Sequence, residues 1–249
     1  MARPAYGGPQ PAFKIFKEGY PPGSSYNRAV GRLYIQVSRK VLGECTATVV
    51  GTSVVLTAAH CLFNPQTHHF YSHFLFVPGL RGRTAPAGSW HGRAAYIKRG
   101  FARHQAVSLD YGFLTLRARH GRRVGRVTGW EPLLANSRGH TILSLGYPAS
   151  GVFAHRCSTF SCYQWACYSP LGAKVHDANG EYEVGMGCHS GEGSSGGPWF
   201  ERFHHHWYIA SNVSTGVTFR PDPGYTTNQW GPYFNRQTLR FLKYVKSHR

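Results

Sequence analysis

Glycine and proline limit what this chain is able to fold into. With 30 glycines and 15 prolines, its apolar residues are cut into short runs separated by turn formers, a pattern that suits strands and tight connections rather than bundled helices. At 249 residues the chain is long enough to bury a sizeable core, either as one domain or as two packed halves, and two small β-barrels fit that length. Within the runs the period is that of a half-buried strand: Leu33, Ile35 and Val37 alternate with Tyr34, Gln36 and Ser38. Segments 45–50, 54–57 and 74–77 are β-rich and bounded by Gly, Pro and Asn. A second set of strands is expected from 126–128 through 141–148 and 207–211.

The expected organisation is therefore all-β: an extended N-terminal arm over 1–28, a first barrel over 29–125, a second over 126–234, and a C-terminal helix over 235–249. The helix has its own signature. Asn235 is a suitable N-cap, and Leu239, Phe241, Leu242 and Val245 fall on one helical face with Arg236, Arg240 and Lys243 on the other. No stretch is long and apolar enough to cross a bilayer. The first residues lack the apolar core of a signal peptide, so the chain reads as a mature or recombinant form from which any such signal has been removed.

Three separate segments carry the chemistry. They are Thr57-Ala58-Ala59-His60-Cys61, then Leu109-Asp110-Tyr111-Gly112, then Gly193-Ser194-Ser195-Gly196-Gly197-Pro198. A serine hydroxyl is a weak nucleophile at neutral pH; acyl transfer needs an imidazole to take its proton and a carboxylate to fix the imidazole's tautomer. His60, Asp110 and Ser195 can fill those roles. Taken singly, each has a plainer reading: a turn, a core histidine among 15, a turn aspartate. Their conjunction changes the odds, because the chain has only three aspartates, Asp110, Asp177 and Asp222, and Asp110 alone lies in an apolar segment between His60 and Ser195. Gly193, Ser195 and Gly197 also spell a G-x-S-x-G elbow, which requires a helix directly after the serine. Gly196-Gly197-Pro198 argues against that helix.

The chain order His, Asp, Ser, with these motifs, resembles the trypsin-like serine peptidases of chymotrypsin fold over about residues 30 to 247. Two packed six-stranded antiparallel β-barrels with a C-terminal α-helix are what the resemblance implies, with His60 and Asp110 from the first barrel and Ser195 from the second. The run 188–199, Gly146-Tyr147-Pro148 and Gly231-Pro232-Tyr233-Phe234 are more similar to the secreted bacterial and glutamyl-endopeptidase-like (V8-like) members than to digestive trypsins. Ser194 stands where the animal enzymes carry an aspartate that receives a newly freed amine, so that activation switch is absent. The backbone N–H groups of Gly193 and Ser195 match the family's oxyanion hole.

Pocket residues follow from the same resemblance: His189 and Ser190 ahead of the nucleophile, and Ser211 on the strand after it. No carboxylate stands among them. Cleavage after Lys or Arg is therefore not expected, since a cation would be buried without a counter-charge, and an acidic P1 residue is a candidate. Glutamyl endopeptidases place a further histidine where this chain has Ala210-Ser211-Asn212, so small or apolar P1 residues stay open.

Six cysteines are compatible with three disulfides and an oxidising compartment. The resemblance implies Cys45–Cys61 closing the histidine loop; Cys167–Cys188 and Cys157–Cys162 are one of three ways to pair the rest. Secretion, a polypeptide substrate and a monomer are expected. No metal or cofactor is: the cysteine spacing is not that of a zinc ribbon, and the neighbouring residues of His204-His205-His206 or His68-His69 point apart. Ten acidic residues leave little for a calcium cage.

With Lys+Arg 28 against Asp+Glu 10, the formal net charge is +18. Such a surface attracts anionic polymers or envelopes, with the densest clusters between Arg117 and Arg126 and on the C-terminal helix. No nucleic-acid motif accompanies it. The rival reading is a non-catalytic protein of peptidase fold that binds polyanions through this surface.

Overall fold

A computed structural model of the protein describes residues 25–139, 141–149, 163–188, 190–216 and 229–248. The chain enters through a helical turn, α1 (Ser25–Ala29), which occupies the last part of the expected arm. Tyr26 of this turn is buried, with its ring against Phe200 and Trp207.

The first barrel is closed and six-stranded. Its strands are β1 (Val30–Gln36), β2 (Leu42–Gly51), β3 (Val54–Thr57), β6 (Ser72–Pro78), β7 (Trp90–Ile97) and β8 (Gly112–Leu116), with the hairpin β4 (Phe63–Asn64) and β5 (His69–Phe70) between β3 and β6. The order around the barrel is β1-β2-β3-β8-β7-β6, all pairs antiparallel. Alternation explains the interior: Leu33 and Ile35 point inward to Ala47, Val49, Val55, Phe76, Trp90 and Leu114, while the intervening positions face the other way. One of those is Arg32, fully buried, ion-paired with Glu44 and donating from Nη1 to the Tyr147 carbonyl of the other half at 3.4 Å.

Two four-stranded sheets make the second, sheet-rich barrel among the described residues. One runs β10 (Trp165–Ser169), β9 (Ile142–Gly146), β13 (Pro198–Phe203), β14 (His206–Asn212). The other runs β11 (Leu171–His176), β12 (Tyr182–Met186), β16 (Gln229–Pro232), β15 (Thr215–Gly216). The largest apolar cluster is shared by both halves: Val50, Leu56 and Phe113 of the first meet Leu143, Leu145, Phe200 and Ile209 of the second, closed off by Leu242 and Val245.

Two local expectations are corrected. Residues 126–128, expected as strand, belong to a short helix, α3 (Val124–Thr128), following α2 (Arg99–His104). The turn is imposed by packing: a Cβ on Gly125 would stand 2.6 Å from the Gly51 carbonyl oxygen, and Thr128 Oγ1 donates back to the Val124 carbonyl at 3.2 Å. The C-terminal helix α4 (Arg236–Ser247) starts as expected from Asn235, whose side chain accepts from the Gln237 and Thr238 amides at 2.8 and 3.3 Å. Its buried stripe is Thr238, Leu242 and Val245, with Phe241 partly covered, whereas Leu239 is exposed. Among the described residues no helix is long and apolar enough to cross a membrane.

Candidate active site

His60 sits in a 3₁₀ turn, Ala59–Cys61, immediately beyond β3. The turn is fixed from behind by the Cys45–Cys61 disulfide, while the imidazole stays partly exposed. Asp110 follows a second 3₁₀ turn, Val107–Leu109, just before β8. The two come together with His60 Nδ1 2.7 Å from Asp110 Oδ2 and the His60 backbone N–H donating to Oδ1 at 2.9 Å. Because a carboxylate only accepts, Nδ1 carries the proton of the neutral ring and Nε2 is left as its basic nitrogen.

The carboxylate is buried and nearly saturated with donors. Ser214 Oγ donates to Oδ2 at 2.5 Å, and Asn212 Nδ2 donates to the Asp110 backbone carbonyl at 3.1 Å. Burial alone raises the carboxyl pKa, but the facing imidazole's charge, its hydrogen bond and the Ser214 and His60 backbone donors outweigh that and hold Asp110 below its ordinary range. For His60, burial pulls the pKa down, and the charge and hydrogen bond of Asp110 more than offset it, so the imidazole is shifted upward. Neither Ser214 nor Asn212 was singled out from the sequence. A serine on a loop 104 residues away from its partner leaves no local pattern to read.

The Ser195 loop comes from the second half and takes its shape first from its backbone. Gly191, Gly193 and Gly196 have φ of 72, 85 and 81°, the left-handed region in which a Cβ is costly. Gly196 also has no room: an added Cβ would fall 2.1 Å from Thr57 Oγ1 and 2.4 Å from the Thr46 carbonyl. Two hydrogen bonds orient the amides around the serine. The Glu192 carbonyl accepts from the Ala149 amide at 2.6 Å, and the Ser194 carbonyl accepts from the Gly197 amide at 2.8 Å. In a trans peptide the C=O and N–H point in opposite directions, so the N–H groups of Gly193 and Ser195 are turned away from those partners. No internal acceptor meets either of them among the described residues.

Thr46 of β2 locks this loop to the first barrel. Its amide donates to the Ser195 carbonyl at 2.8 Å and its hydroxyl to the Gly193 carbonyl at 2.9 Å, while that hydroxyl accepts from the Tyr147 amide at 2.9 Å. Thr57 Oγ1 in turn donates to the Thr46 carbonyl at 2.8 Å. Ser194 is fully buried and donates to the Ser190 carbonyl at 2.9 Å, a neutral brace for the loop.

Of the expected pocket residues, Ser190 is partly exposed, and its Oγ accepts from Gln229 Nε2 at 2.7 Å. Ser211 is buried in β14, its hydroxyl given to the Pro232 carbonyl at 2.7 Å. His189, Cys157 and Cys162 lie outside the described residues. Cys167–Cys188 is bonded and ties β10 to the segment leading into Ser190. One group among the described residues, Cys45, His60 and Cys61, brings three potential ligand atoms within 4.8 Å. Its two sulfurs are joined to each other, so it offers a single imidazole and no thiolate to an ion.

A His–Asp pair on one β-barrel and a glycine-rich serine loop on a second, linked through Thr46 and with Cys61 Sγ 3.9 Å from the Ser195 carbonyl, define a chymotrypsin-like architecture. The chain belongs to the trypsin family, whose family model matches residues 23–228. Its sequence is similar to the glutamyl endopeptidase of Bacillus licheniformis, 26% identical over 171 residues, which is 69% of this chain and 49% of that protein. The chain thus spans about half the length of that relative. Among solved structures it resembles a thermostable serine protease, AL20, from an extremophilic microorganism, with a TM-score of 0.75 and 25% identity over 91% of this chain and 100% of that one. A Glu endopeptidase shares the fold, with a TM-score of 0.72 and 20% identity over 98% of this chain and 99% of that one.

Proposed function

We propose that the chain is an extracellular serine endopeptidase that works through an acyl-enzyme. The observation that carries this reading is the His60–Asp110 pair, which presents Nε2 as the one basic ring nitrogen beside a barrel junction where Ser195 stands partly exposed. Ser195 Oγ adds to the scissile carbonyl carbon as its proton passes to Nε2, and the resulting imidazolium is held by Asp110. The oxyanion takes the Gly193 and Ser195 N–H groups, whose carbonyl partners are already engaged elsewhere. Nε2 then protonates the leaving amine as the C–N bond breaks. Water, deprotonated by His60, releases the acid product and restores Ser195. Two disulfides among the described residues support an oxidising compartment.

For specificity we propose acidic P1 residues in preference to basic ones. Ser190 supports this: its oxygen accepts from Gln229, whose own carbonyl oxygen accepts from Ser144, so the Ser190 proton remains to be donated to a carboxylate. The similarity to a glutamyl endopeptidase supports it too, and on the sequence reading His189 lies beside Ser190. Fluorophosphonate labelling together with a peptide-library profile tests both levels. The expected results are covalent modification at Ser195, loss of about 10⁴–10⁶ in turnover for Ser195→Ala, and cleavage after Glu or Asp above cleavage after Lys or Arg. Absence of labelling in the folded protein would overturn the nucleophile; a Lys or Arg preference would overturn the pocket alone.

A further inference from the structure

The ladder between β6 and β7 ends early. Leu75 pairs with His91 and Phe76 with Trp90; past that register β6 continues back to Ser72 and β7 onward to Ile97 without pairing to each other. Each strand keeps its outer neighbour, β6 through Ser72 with Gln36 of β1 and β7 through Ala94 and Ala95 with Thr115 and Leu114 of β8. Between them opens a groove of about 520 Å³. Phe70, Tyr71, His73, His91, Arg93 and Arg117 supply its walls.

Three features of this groove converge on one kind of ligand. No Asp or Glu lines it, and Arg93 and Arg117 are exposed with no carboxylate in ion-pair range among the described residues, so it selects negative charge. Phe70 is 50% exposed at its rim, an apolar contact that a bare polyanion would leave unused. The inner edges of β6 and β7 carry strand N–H and C=O groups without a ladder, and these are satisfied by another extended backbone. A bilayer or a nucleic-acid duplex presents no such backbone. The groove is also joined to the site, because the Tyr71 amide donates to the Leu62 carbonyl at 2.9 Å, two residues beyond His60.

We propose that the β6–β7 groove is an exosite that docks an acidic, extended stretch of the polypeptide substrate, with Arg93 and Arg117 reading its carboxylates. This rests on the peptidase reading above and extends it from the cleaved bond to a remote part of the same substrate. Remote binding of this sort raises the local concentration of the scissile segment at the cleft.

Hydrolysis of two fluorogenic peptides with one scissile core, one of them carrying a Glu/Asp-rich tail on either side in turn, tests it. The tail is expected to raise kcat/KM about five- to tenfold through KM, as two exposed ion pairs allow, and the gain should fade in high salt. In the R93E/R117E double variant the gain should vanish while the tail-less peptide is cleaved as by the wild type, which also reports that the variant is folded. No gain in the wild type, or a gain retained in the variant, overturns the exosite. Should neither peptide be cleaved, the peptidase reading fails, and anisotropy of the labelled tail decides the groove: binding lost in R93E/R117E supports it, and no binding overturns it. Tighter binding of a DNA duplex than of the tail, lost in the same variant, would reassign the groove to nucleic acid and overturn the proposal.

Discussion

The two halves of the site are held by opposite means. On the first barrel the fixed object is a charge: three donors, the His60 amide, His60 Nδ1 and Ser214 Oγ, converge on the two oxygens of Asp110. On the second barrel the fixed object is a backbone path, set by glycines at positive φ and by hydrogen bonds from Thr46. The first arrangement is sensitive to loss of a polar atom and the second to gain of a carbon. That contrast separates the two kinds of damage a substitution can do to one site.

The strongest break is Asp110→Asn, which keeps shape and removes charge. An amide can donate to Nδ1 and thereby favour the wrong imidazole tautomer, so turnover is expected to fall about 10⁴-fold with little loss of fold. Steady-state kinetics alongside thermal melting checks it, and an equal fall in Tm-based stability would show that the carboxylate acts mainly as structure. Next comes Gly196→Ala, the reverse experiment, in which no polar atom is lost. Its Cβ has Thr57 Oγ1 at 2.1 Å and the Thr46 carbonyl at 2.4 Å, so the loop must shift and the Gly193 and Ser195 amides with it. A drop of about 10²–10³ in kcat, the cost of spoiling an oxyanion donor, is expected with KM little changed.

Smaller still is Ser214→Ala, which deletes one of the carboxylate's donors. About a tenfold loss in kcat/KM is expected, from a hydrogen bond to a charged group. Its sharper readout is the pH profile. In the proposed mechanism the neutral imidazole is the base, so kcat/KM is expected to rise as pH climbs through the pKa of His60, which lies above its ordinary 6.5. With Ser214 gone, Asp110 concentrates its charge on the ring, and this acid limb should move further up. Stability runs the other way. The raised His60 pKa adds stability that is fully present below the unfolded value and lost as pH rises through the folded one, and the lowered Asp110 pKa adds stability lost only as pH falls through its own folded value. Activity thus rises over the interval in which the ion pair's contribution to stability fades, and denaturant melts across that interval check the sign.

Legibility in the sequence followed the same division. The alternation of Leu33 and Ile35 and the Asn235 cap are local patterns, and each led to its element, whereas Val37 of the same alternation falls just past β1 and is exposed; the three site segments are local patterns too. Ser214, Thr46 and Arg32 act across sequence separations of 104, 147 and 115 residues, where nothing in a neighbouring residue announces the partner. Residues 126–128 misled for a related reason: β-branched residues favour strand, but the close approach of Gly125 to Gly51 belongs to tertiary packing. At Leu239 the helical period was right and the cover was missing, since Thr238, bonded toward Tyr111, takes the inward position instead.

Thr46 has a further consequence, in time rather than space. A contact spanning 147 residues carries a large loop-closure cost and forms late, and here it is the contact that sets the Gly193 and Ser195 carbonyls. A chain emerging from synthesis makes Thr46 long before the Gly193 and Ser195 carbonyls it holds, and Asp110 long before its Ser214 and Asn212 donors, so neither half of the site is fully held until the other is made. Completion of the site is therefore expected as the closing event of folding, when the halves dock.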